Sequence, residues 1–81
     1  PQKALEFLKQ AKNCAIELNE PFYIASSDVA LGDFYYNKKD YKNALNHYKL
    51  AHTLAKDNFA KDNIEKIKIR INDIKKVYNA E

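Results

Sequence analysis

The chain has 81 residues, of which 46% are hydrophobic and 31% charged, with a formal net charge of +3. This length suits one small domain, and the balance is too apolar for a disordered chain, while no apolar run approaches the roughly 18 residues of a membrane-spanning helix. A single Cys excludes an internal disulfide and a multi-Cys zinc site, and the mild positive charge is well short of a nucleic-acid-binding tail.

One Gly and two Pro are too few for the many turns of an all-β fold, so long helices are expected. The sequence opens at Pro1 and runs directly into a helical pattern, with no signal or transit segment. It therefore reads as a fragment of something longer, with a cytoplasmic location. Ala4, Leu8, Ala11, Ala15 and Leu18 follow one helical face, flanked by Phe7 and Cys14. Leu5 and Ile16 lie on a second side, so this helix is expected to touch neighbours on both. Cys14 is expected to be a buried, inert thiol.

Asn19-Glu20-Pro21 breaks the pattern, and Pro suits the first turn of a second helix through Phe22, Ala25, Val29, Leu31 and Tyr35. Asn37-Lys38-Lys39-Asp40 is a polar turn, with Asp40 as N-cap of a third helix carrying Ala44, Leu45, Tyr48, Ala51, Leu54 and Ala55. Lys56 to Lys61 is a weak stretch containing Phe59. Asp62 and Glu65 are spaced as a capping box for a fourth helix, with a stripe of Ile64, Ile67, Ile71, Ile74 and Tyr78. Its Lys61, Lys66, Lys68, Arg70, Lys75 and Lys76 flank that stripe on both sides. Pairing through Asp62–Lys66, Glu65–Lys68 and Asp73–Lys76 predicts a solvated, salt-bridged face. Ile69 stands apart, about 140° from Ile64 at about 100° per residue. It is expected to meet a further segment or a second copy.

An internal repeat aligns Ala4-Leu5-Glu6-Phe7-Leu8-Lys9-Gln10-Ala11 with Ala44-Leu45-Asn46-His47-Tyr48-Lys49-Leu50-Ala51, identical at four of eight positions with an offset of 40 residues. The middle of the chain then reads Asp28-x2-Leu31-Gly32-x2-Tyr35, followed by Ala44-x3-Tyr48 and Ala51. This resembles the tetratricopeptide repeat, whose pattern is W-x2-L-G-x2-Y, then A-x3-F and a late Pro. The only glycine falls on the pattern's glycine. Asp28 replaces the usual Trp and Lys56 the usual Pro. The offset also exceeds the family's repeat of about 34 residues, so longer helices are expected.

The resemblance covers Ala25 to Asn58. It implies an all-α, tetratricopeptide-like antiparallel stack of four helices, an α-solenoid fragment forming one domain over 1–81. Residues 2–19 would be the second helix of a preceding repeat, 21–57 one helix-turn-helix repeat, and 62–79 a closing helix. Gly32 would mark the closest crossing, against Ala44 and Tyr48.

Helical spacing places Phe22, Ser26, Val29, Asp33, Tyr36 and Asn37 on a stripe separate from Leu31, Tyr35, Gly32 and Asp28. In tetratricopeptide proteins the first helix of each pair lines a concave groove. The resemblance therefore implies that this stripe binds a peptide or partner protein. A carboxylate clamp of Lys and Asn is missing at Val29 and Asp33, and Asp33 would repel a terminal carboxylate.

No catalytic grouping is legible. His47 and His52 are five residues apart, so their rings diverge by about 140° and cannot share a metal as an i, i+4 pair does; both read as solvated. There is no Gly-rich phosphate loop and no Ser/His/Asp grouping. The expected function is a non-catalytic protein-interaction scaffold with no metal, no cofactor and no membrane contact. Self-association through exposed repeat ends is open to it. The alternatives are nucleic-acid contact through the basic last helix, which the scattered charges disfavour, and a purely structural segment of a longer solenoid.

Overall fold

The computed structural model describes residues 2–58 and 61–79. Four helices follow in order: α1 (Gln2–Glu17), α2 (Pro21–Asn37), α3 (Tyr41–Asn58) and α4 (Lys61–Asn79). The described residues form an all-α stack with no strand. α1 packs on α2, α2 on α3, and α3 on α4. Each of the three main interfaces thus joins two elements that follow directly in sequence, as short connections favour.

The first two turns have one construction. Asn19 and Lys39 both adopt left-handed backbone, at φ 53° and 63°. After α1, the N–H groups of Asn19 and Glu20 donate to the Ile16 and Ala15 carbonyls at 3.0 and 3.1 Å. After α2, those of Lys39 and Asp40 donate to the Tyr36 and Tyr35 carbonyls at 3.0 and 2.9 Å. Both are Schellman caps, which satisfy the last carbonyls of a helix and reverse the chain. Pro21 then starts α2 at a position whose N–H has no helical partner. Asp40 starts α3 as expected, its carboxylate accepting from the Asn43 backbone N–H at 3.4 Å and from the Asn43 side-chain amide at 2.7 Å. The fourth helix differs from expectation. It begins at Lys61, so Asp62 lies within its first turn and is not its cap. Asp62 there complements the helix dipole. α3 meanwhile continues through Asn58 across the stretch read as weak. Phe59 and the side chain of Tyr78 lie outside the described residues.

The core is one continuous seam. Ala44, Tyr48, Ala51 and Ala55 of α3 are buried together with Ile67 and Ile74 of α4, and Ile64 and Ile71 pack against them half-buried. α3 is thus the helix covered on two sides. α2 is likewise flanked twice, burying Leu31 and Ala25 along with Gly32. The expectation that α1 would be covered on two sides is not met. Ala15 is buried and Leu8 and Ala11 are half-buried, whereas Ala4, Ile16 and Leu18 are exposed and Phe7 is 70% exposed. The reason is that, among the described residues, the one extensive interface of α1 is with α2. Cys14 precedes Ala15 by about 100° of helix rotation and is exposed, not buried.

At Gly32 the α2 backbone lies against the Tyr48 ring of α3. A Cβ there would lie 2.7 Å from Tyr48 Cε1 and 2.8 Å from Cδ1, well inside contact distance. The Tyr48 ring is buried, and its hydroxyl is held by Asp33, so moving it aside would disturb that hydrogen bond. Gly32→Ala should therefore lower stability by about 1–3 kcal/mol through overpacking. That would outweigh the gain of roughly 1 kcal/mol in helix propensity. A thermal melt showing a raised midpoint would contradict this crossing. Lys39 supports the opposite kind of change. Its left-handed backbone disfavours any side chain with a Cβ, so Lys39→Gly should raise stability by about 0.5–1 kcal/mol in urea unfolding.

Candidate functional site

Because α4 packs on α3 and stands away from α2, a cleft opens between α2 and α4 with α3 as its floor. Its volume is about 490 Å³. Phe22, Ser26, Val29 and Asp33 form the α2 wall, one turn apart along the helix. Asn63, Lys66, Ile69 and Arg70 form the α4 wall, while Tyr48 and Ile67 rise from the core to meet them. Four of the six residues expected on the binding stripe thus line one cleft. Phe22 and Ile69 are 45% and 56% exposed, leaving apolar surface at the opening. Lys66 and Arg70 oppose Asp33 across it.

The remaining two stripe residues are placed otherwise. Tyr36 is half-buried, with the Arg70 guanidinium 4.6 Å from its ring centroid and the Tyr41 ring edge-on at 5.7 Å. It ties α2 to α4 where the cleft closes. Asn37 is the exposed last residue of α2 and is not part of the lining. Arg70, read from the sequence as part of a solvated face, instead turns onto this aromatic ring. Of the three ion pairs expected on α4, Glu65–Lys68 forms at 3.8 Å, and the other two are absent among the described residues. Ile69, expected to meet a further segment or a second copy, faces the cleft.

The floor is electrostatically committed. The Tyr48 hydroxyl donates to the Asp33 carboxylate. Burial and then the Asp33 hydrogen bond push the Tyr48 phenol far above its usual range, so it stays neutral near pH 7. Asp33 thus spends one oxygen on the fold while still edging the cleft.

A second polar centre lies between α1, α2 and α3 and was not expected from helical spacing. Asp28 is 1% exposed, and its Oδ1 takes Lys12 Nζ of α1 at 2.8 Å and His47 Nδ1 of α3 at 3.0 Å. The His47 ring also lies parallel to Tyr35 of α2, with centroids 5.6 Å apart. His47 is therefore not the solvated histidine expected. The signal was Asp28 itself, a carboxylate on the same helical face as Leu31 and Tyr35, which needs partners from adjoining helices once buried. Both partners use the same carboxylate oxygen, and His47 Nδ1 must carry hydrogen to donate. The centre has the character of a structural cross-brace. Among the described residues, no buried side-chain N or O lacks a hydrogen-bond partner, and no group of three or more His, Cys, Asp or Glu is placed to hold a metal ion. No described helix is long and apolar enough to cross a membrane.

No family model, curated protein or solved structure matches the chain.

The raised Tyr48 phenol sets a pH dependence. Unfolded tyrosine ionises at about pH 10, whereas in the fold Tyr48 holds its proton to higher pH. The unfolded chain therefore releases a proton first as pH rises, and the stability contributed by the neutral phenol is full below pH 10 and lost above it. Melting temperatures from pH 7 to 11.5 should fall more steeply above pH 10 for the parent than for Tyr48→Phe. Equal slopes would contradict a buried, Asp33-bonded phenol.

Proposed function

We propose that the chain is a non-catalytic protein-interaction scaffold of tetratricopeptide-like architecture, binding a peptide or partner protein in the cleft between α2 and α4. The observation that carries this reading is the convergence of Phe22, Ser26, Val29 and Asp33 with Ile69, Lys66 and Arg70 on one open, mixed apolar and polar groove. Aromatic and aliphatic anchors beside charged groups suit side chains of an incoming peptide, with charges fixing its direction. The helix order supports the repeat reading too. α2 and α4 stand as successive first helices along the groove, with α3 as the second helix of the central repeat and α1 as that of the preceding one. The neutral Tyr48 and the ion-paired Asp28 favour structural roles for the polar groups inside the fold. An exposed Cys14 thiol fits a reducing, cytoplasmic setting.

Panning a displayed peptide library on the chain, then measuring affinities for the selected peptides, tests the reading. Phe22→Ala and Val29→Ala should each weaken binding by about 1 kcal/mol or more, roughly fivefold. Lys49→Ala, on the other side of the stack, should leave it unchanged. Selected peptides that are indifferent to Phe22 and Val29 would place binding elsewhere.

A further inference from the structure

The stack repeats with a step of forty residues, and that step identifies a second binding surface. α2 starts at Pro21 and α4 at Lys61, and Ala15 of α1 and Ala55 of α3 are both buried against the helix that follows. α3 sits on α2 at Asp28, Gly32 and Tyr35, through His47 and Tyr48. Forty residues on, the same positions of α4 are Lys68, Asn72 and Lys75. These three line an open cleft of about 440 Å³ on the other side of α4, where Lys49 and His52 of α3 join them. The face of α4 equivalent to the one that holds a helix on α2 is thus an open cleft, with Asn72 in place of the glycine and a basic lining. Ile71 is its one apolar group, and no carboxylate lines it. Among the described residues, Glu65 makes an ion pair with Lys68 at 3.8 Å, with both side chains more than half exposed.

We propose that this α3/α4 seat docks an acidic helix of a partner protein. Charge complementarity and spacing carry the choice. Lys68 and Lys75 are two turns apart, about 10 Å along α4, the rise between Glu residues at i and i+7 of a helix lying alongside. A second copy of this chain is a poor occupant. Its α1 is the helix of equivalent type and carries Lys3, Lys9 and Lys12 against only Glu6 and Glu17, so it has no Glu-rich face to offer. A single-stranded nucleic acid would meet the lysines but no aromatic ring for its bases, since none lines the seat. The proposal rests on the repeat step and the lysines and is independent of the α2/α4 cleft.

The test is an amide NMR titration of the 81-residue chain with three probes. The first is a stapled helix of about 18 residues (roughly five turns) with a Glu-rich face. The second has the same composition with a central Pro that prevents the helix, and the third is an oligothymidylate of equal charge. The stapled helix should shift the Lys49, His52, Lys68, Asn72 and Lys75 signals saturably. Its affinity should fall about tenfold or more in Lys68→Glu/Lys75→Glu and by less in Lys68→Gln/Lys75→Gln. Unchanged melts would show both variants folded, and Phe22→Ala should bind as the parent does. Three results would overturn the proposal: tighter binding of oligothymidylate, equal binding of the Pro peptide, or shifts centred on Phe22 and Val29 in place of the lysines.

Discussion

The crossing of α2 over α3 at Gly32 and Tyr48 is the constraint on which both the fold and its main cleft depend. With no Cβ in the way, the Tyr48 ring packs close to the α2 backbone. That closeness brings the phenol hydroxyl to Asp33, one residue beyond the glycine. A bulkier residue at the crossing would push the helices apart, and the floor of the cleft would move with them. Fold and site are therefore one contact read from two sides. The inner edge of the ring is core, and its hydroxyl end meets the groove.

Asp28 performs a different task. A carboxylate removed from water is costly, and ion pairing offsets that cost only when the geometry is good. Here Lys12 and His47 reach it from the helices on either side, so three helices meet at one oxygen. Alanine and isoleucine seams tolerate sliding by a turn, because one apolar contact replaces another. A buried charge does not, since any slip strands it without a partner. The pairing thus sets the rotation and register of α1, whose one extensive interface among the described residues is with α2 and which leaves Phe7 and Ile16 exposed. Specificity of packing, more than net stability, is what such a pair can contribute.

The two clefts express one geometry with two linings. Each lies beside α4, which packs on α3 through Ile67 and Ile74 and leaves its other sides open. One opening is apolar at its mouth, with Phe22 and Ile69. The other is basic, with Lys49, Lys68 and Lys75. Arg70 divides them, since its guanidinium is drawn onto the Tyr36 ring on the α2 side. Charges that look evenly scattered along the α4 sequence are sorted by this packing into two surfaces of different character.

Periodicity and end signals made the four helices legible. Pro21 and Asp40 marked helix starts, and the Ile stripe of α4 and the lone Gly32 marked buried contact, because each acts within a turn or two of its own position. The stripe from Phe22 to Asp33 was legible for the same reason, since residues at helical spacing share a face wherever the helix goes. What lay beyond sequence reasoning depended on which helix came to stand opposite. Periodicity placed Cys14 beside an apolar face, but α1, packed mainly on α2, leaves it exposed. His47 looked solvated until Asp28, nineteen residues away, arrived beside it. Arg70 and Tyr36 lie far apart in sequence on different helices, and their contact exists only because packing on α3 brings α4 beside the end of α2. Local sequence determined the helices and their faces, while the pairing of distant polar groups was decided by tertiary packing, where burial makes an unpaired charge too costly to leave alone.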